Sequence, residues 1–105
     1  MNYENIQIAA LADPTRQRIF ALIGERPRTV VAITREMPVS QPAVSQHLKV
    51  LREASLVRAE PSGASNVYHI DPDGLGQMRA WIDRFWGNTL AAYKQVAEQS
   101  KEEPQ

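Results

Sequence analysis

Apolar positions recur at helical spacing through most of the chain and change to short β-like runs in one stretch. A first helix is predicted from about Tyr3 to Ala12, with Ile6, Ala9, Ala10 and Leu11 as its apolar members. Asp13-Pro14 then restarts the chain, since Asp favours the N-cap and Pro suits the first helical position. The second helix follows to about Glu25, with an apolar stripe of Ile19, Phe20, Leu22 and Ile23. Gly24 and Pro27 help to end it. Thr29 caps a short third helix through about Met37, with Val30, Ile33 and Met37 at helical spacing. Pro38-Val39 forms a tight connection, because the residue before a proline disfavours helix. Ser40 caps a fourth helix that reaches about Ala54 and carries Gln41 and Pro42 in its first turn.

Leu56 to Glu60 and Val67 to Ile70 are short runs containing β-branched and aromatic residues. The Pro, Ser, Gly and Asn cluster from Pro61 to Asn66 separates them, which reads as a β-hairpin. Asp71-Pro72 closes it. The last helix is predicted from about Asp73 to Gln99. Leu75, Met78, Ile82 and Phe85 form one stripe, continued by Trp86, Leu90, Tyr93 and Ala97. Such a helix spans roughly 40 Å, whereas a domain of this size typically has a radius of gyration near 13 Å. Apolar residues along its whole length need something to pack on, and the simplest partner is a second copy. Trp81, Phe85, Trp86 and Tyr93 also admit an aromatic ligand pocket, but core and interface packing is the simpler account. Ser100 to Gln105 reads as a frayed polar end.

Composition narrows the function. The 105 residues suit one domain, and 43% hydrophobic with 23% charged residues describes an ordinary folded protein. No apolar run approaches the roughly 18 residues of a membrane span. Met1 to Asn5 has no basic n-region and no apolar h-region, so no signal peptide is expected and the cytoplasm is the expected compartment. The chain has no cysteine, which excludes disulfides, thiolate ligands and thiol nucleophiles. With His47 and His69 as the two histidines, no metal and no cofactor are expected. No nucleophile–base pair, phosphate loop or paired-carboxylate motif stands out, so no enzyme is expected. Net charge is zero, which argues against nucleic acid at face value. Residues 1–60 nevertheless carry eight Lys/Arg against six Asp/Glu, while residues 61–105 carry four against six.

The informative feature is a short helix, a tight turn, a second helix and then a hairpin. On the second of these helices Val44, Leu48 and Leu51 fall at i, i+4 and i+7 and face inward. Pro42, Ser45, Gln46 and Lys49 lie on the opposite face, with Gln41 at its edge. A helix fits the major groove, where Gln pairs bidentately with adenine. Ser bonds bases or phosphates, and Lys49 and Arg52 neutralise phosphates. His47 flanks the buried stripe and has two readings, a phosphate contact or a packed structural residue. His69 reads as a wing strand residue, and Arg16 and Arg18 as structural ion-pair partners.

With Ala10 to Arg16 (ALADPTR), Ser40 to Ala54 (SQPAVSQHLKVLREA), Leu56-Val57 and Val67-Tyr68, the chain resembles the ArsR family of bacterial winged-helix transcriptional repressors. The resemblance covers nearly the whole chain and is strongest in the fourth helix. It implies a mainly α fold with a small β-hairpin, a single winged helix-turn-helix domain with about five helices and a two-stranded wing. It also implies repression at a palindromic operator in double-stranded DNA. Carried over residue by residue, Gln41, Ser45 and Gln46 fall at positions that touch base edges or nearby phosphates, and Lys49 at a backbone contact. Pro42 replaces a residue that is often polar. The implied homodimer joins through the first and last helices, with Ile6, Leu11, Met78, Trp81, Ile82, Phe85, Trp86, Leu90 and Tyr93 as interface candidates.

Two departures stand out. The family's metal sensors use cysteines on the third helix, where this chain has Thr29, Val31 and Thr34. The last helix contains no histidine for the alternative metal site. The chain is therefore similar to the cysteine-free branch, with its effector unknown. The wing tip, Gly63 to Asn66, lacks the arginine common there and leaves Ser65 and Asn66 as phosphate contacts. The competing reading is a winged-helix protein-interaction module without specific DNA binding, favoured by neutral charge and an uncharged wing tip.

Overall fold

A computed structural model describes the backbone of residues 3–102 and the side chains of residues 5–99. In chain order the elements are α1 (Tyr3–Ala10), α2 (Pro14–Glu25), β1 (Arg28–Thr29), α3 (Val30–Glu36), α4 (Gln41–Glu53), β2 (Val57–Ser62), β3 (Ser65–Ile70) and α5 (Pro72–Glu102). Three of the predicted caps form as physical chemistry requires. The Asp13 carboxylate accepts from the Arg16 N–H at 3.0 Å, and this bond holds its carboxyl below the usual carboxylate range. Thr29 Oγ1 accepts from the Ala32 N–H and Ser40 Oγ from the Ala43 N–H. Each satisfies an N–H that the helix itself leaves unpaired.

The hairpin is tighter than the sequence suggests. Ser62 pairs with Ser65, leaving Gly63 and Ala64 as a two-residue turn. Gly63 has φ of 61° at the first central position, where such a turn requires it. Pro61 lies inside β2 rather than in the turn. It is tolerated there because β2 is an edge strand in the order β1-β3-β2. The third strand, β1, pairs Arg28 with Tyr68 and Thr29 with Val67, so the hairpin is tied to the segment before α3.

The core centres on α4. Val44, Leu48 and Leu51 are fully buried together with Ile19 of α2, Ile33 of α3 and Leu56 beside β2. Arg28 is the charged member of this interior. Its guanidinium meets Glu25 at 2.8 Å and Glu36 at 2.6 Å, and its Nε donates to the Leu22 carbonyl at 2.7 Å. One side chain thereby joins the end of α2 to the end of α3. Arg28→Met should lower unfolding free energy by about 2 kcal/mol, because a shape-filling stem remains while the charged hydrogen bonds are lost. A urea midpoint equal to the parent protein would refute this role.

α5 has 31 residues, longer than predicted at both ends, and runs through 100–102, where a frayed end is expected from sequence. Residues 103–105 of that expectation lie outside the described residues. The helix starts hard against the α4–β2 connection. A Cβ on Gly74 would lie 1.6 Å from the Ser55 carbonyl oxygen, so only glycine permits this approach. Buried Gln7 of α1 donates to the Gly74 carbonyl at 2.8 Å and fastens the same corner. Beyond it α5 leaves the body of the fold. The radius of gyration is 19.0 Å and the principal extents are 71 × 27 × 26 Å. No helix among the described residues is long and apolar enough to cross a membrane.

Candidate nucleic-acid interface

α3, the connection over 37–40 and α4 form a helix-turn-helix whose second helix is anchored by one face and open on the other. Leu48 fixes the rotation of α4, since it points inward with no exposure. Gln41, Pro42, Ser45, Gln46, Lys49 and Arg52 are then all exposed. The turn of the helix brings together the groove-facing set read from sequence, in the order amide, hydroxyl, amide, ammonium. Neither Lys49 nor Arg52 has a hydrogen-bond or ion-pair partner among the described residues, so both charges are available to phosphates.

The wing stands beside this face. Ser65 and Asn66 are exposed at the start of β3, and they line a depression of about 190 Å³ with Gln41, Thr29, Val30 and Val31. The pairing of β1 with β3 carries the wing to that position. A second, larger cleft, about 350 Å³, lies between α4 and the sheet and is lined by Ser45, Lys49, Arg52, Glu53 and Tyr68. Sequence reasoning misses Tyr68 and Glu53. The signal for Tyr68 is the strand alternation, which sets Ala59 opposite Tyr68 and separates this face from the one bearing Arg58, Glu60 and His69.

His47 is half-buried, and its Nδ1 lies 3.4 Å from Arg16 Nη1. His69 Nε2 sits 3.3 Å from Glu60 on the wing, and Arg58 lies 3.5 Å from the same carboxylate. Arg16 and Arg18 differ from expectation. Among the described residues neither forms a salt bridge, although the Arg16 charge helps hold the Asp13 carboxyl low; Arg16 Nε donates to the Ala10 carbonyl at 2.6 Å and Arg18 to the Glu36 carbonyl. These are the unpaired carbonyls of two helix ends, for which a guanidinium is a natural donor.

Of the three positions that the resemblance matches to metal-sensor cysteines, the two threonines are engaged within the fold and the valine is exposed. Thr29 caps the helix, Thr34 donates to the Val30 carbonyl at 2.8 Å, and Val31 is 44% exposed. Among the described residues no group of three or more His, Cys, Asp or Glu side chains is placed to hold a metal ion.

The interface candidates divide into two kinds. Leu11 and Met78 pack on the protein's own core, and Trp81 is half-buried. Ile6, Ile82, Phe85, Trp86, Leu90 and Tyr93 are exposed, as are Ile8 and Val96, which the sequence pattern does not single out. Trp81 stacks on Phe85 at 5.6 Å, and Phe85 meets Trp86 edge-on at 6.2 Å, so an aromatic ladder runs along α5.

A helix-turn-helix domain profile matches residues 11–60. The chain is 48% identical over 87 residues to the HTH-type transcriptional regulator Rv2034 of Mycobacterium tuberculosis, covering 83% of this chain and 81% of that protein. An ArsR-like transcriptional regulator from Rhodococcus sp. RHA1 superposes with a TM-score of 0.75 at 28% identity, over 90% of this chain and 92% of its own. A possible transcriptional regulator for arsenical resistance gives 0.71 at 40% identity, over 88% and 94%. An anchored helix-turn-helix, a hairpin wing and these similarities together make the chain a member of the ArsR family of winged helix-turn-helix transcriptional regulators.

Proposed function

We propose that the protein is a homodimeric repressor that binds a palindromic operator with α4 in the major groove, and that it works in the cytoplasm. The observation that carries this reading is the rotation of α4. Its buried stripe leaves Gln41, Ser45, Gln46 and Lys49 on one exposed face, beside a wing that offers Ser65 and Asn66. Dimerisation follows from α5, where Phe85, Trp86, Leu90 and Tyr93 are at least half exposed. A row of large apolar side chains on a projecting helix is the mark of an interface, and an isologous pairing buries it with one symmetric contact. Two copies then present two α4 helices to half-sites about one DNA turn, roughly 34 Å, apart. Repression follows from occupying promoter DNA.

Selection of bound duplexes from a random pool tests the reading, with a two-fold symmetric sequence as the expected product. On that sequence Gln46→Ala should cost about 1–3 kcal/mol and relax the preference at one base pair. Lys49→Ala should weaken every sequence alike and reduce the salt slope by about one. Recovery of unselected sequence from the pool would instead favour the protein-interaction module, to which the neutral net charge points.

A further inference from the structure

The cleft between α4 and the sheet measures about 350 Å³ and is lined from both elements. Two exposed cations, Lys49 and Arg52, stand on it without partners among the described residues. Ser45 adds a hydroxyl from the adjoining turn of α4. The far wall is Tyr68, which is 9% exposed and packs in the core cluster. Its hydroxyl has no hydrogen bond among the described residues, and it is not among the polar atoms sealed from solvent. A phenol fixed by its ring, with a free hydroxyl in a cleft beside two free cations, is a preorganised donor set for an anion.

We propose that this cleft seats one phosphate of the DNA backbone, with the Tyr68 hydroxyl as a fixed donor beside Lys49 and Arg52. This rests on the DNA-binding reading of α4. The location favours a backbone phosphate over a free small anion, because three of the lining residues belong to the same exposed side of the helix that carries the groove-facing set. Tyr68 is held by β3, which pairs with β1 and β2 on either side, so the phosphate is gripped between two rigid elements. A contact made from both sides sets the angle at which α4 enters the groove, which phosphate contacts do generally. Glu53 is the carboxylate in the lining, and it opposes the seat. Its charge limits the affinity for any DNA and leaves more of the discrimination to the bases.

The test uses the full-length protein and a duplex of about 25 base pairs of arbitrary sequence, long enough for two half-sites, titrated at several salt concentrations by fluorescence anisotropy. Tyr68→Phe should weaken binding about tenfold, the effect of one hydrogen bond to a charged group, and leave the salt slope unchanged because no charge is removed. Glu53→Gln should tighten binding a few-fold. Thermal unfolding of both variants checks that the fold is intact. If the parent binds with a normal salt slope and Tyr68→Phe binds equally well, the phosphate seat is wrong while the DNA-binding reading stands. If the parent shows no salt-sensitive binding at all, that reading fails and the seat with it.

Discussion

Placing aspartate at both Phe85 and Leu90 should turn the protein into a monomer and lower its operator affinity by about a hundredfold or more. Both side chains are at least half exposed on α5, so the fold of one copy does not depend on them. In a dimer they lie on the proposed contact, where four carboxylates per pair would be buried without partners, at a cost of several kcal/mol. Loss of the second half-site contact removes the avidity that linked binding provides, on the order of 10²–10⁴. Size-exclusion chromatography with light scattering reads the mass directly. A parent protein that is already monomeric at micromolar concentration, or a double variant that remains dimeric, would contradict the α5 interface.

The second large effect is on stability. Leu48→Ala should destabilise the fold by about 3 kcal/mol, within the 2–5 kcal/mol range for such truncations. Leu48 has no exposure, and its neighbours in the core come from α2, α3 and the segment before β2, so no single element can collapse into the space. For a domain of this size the loss corresponds to roughly 12–24 °C in melting temperature. Lys49, one residue on, is exposed. Lys49→Ala should therefore keep stability within about 0.5 kcal/mol of the parent's. The contrast between adjacent residues tests the rotation of α4 independently of DNA. A large loss from Lys49→Ala and a small one from Leu48→Ala would place the wrong face inward.

Much of this arrangement is legible from residue order because local chemistry decides it. Asp13, Thr29 and Ser40 are short acceptors placed just before apolar helical runs, and each caps its helix. The spacing of Val44, Leu48 and Leu51 is enough by itself to define the exposed set on α4. What escapes depends on distant partners. β1 is two residues long, too short to alternate, and it exists because β3 offers it a ladder. Pro61 resembles a turn residue because its tolerance on an edge strand depends on the strand order. Arg28 resembles a surface arginine between Pro27 and Thr29, and only the meeting of α2 with α3 buries it. Gly74 gives no local signal because its reason is the carbonyl of Ser55, nineteen positions earlier and brought close by the fold. Tyr68 carries family likeness in the sequence, but its part in the α4 cleft depends on which strand face turns toward the helix.

That the exposed face of α4 reads DNA is tested most directly by salt-dependent anisotropy titrations on the duplex recovered from random-pool selection, run in parallel for the parent protein and Gln46→Ala. The expected result is tight binding whose logarithm falls linearly with the logarithm of salt concentration. Gln46→Ala should keep that slope while relaxing the preference at one base pair of the selected sequence. Binding that is insensitive to salt, or a Gln46→Ala variant that discriminates as well as the parent, would contradict DNA reading by this face.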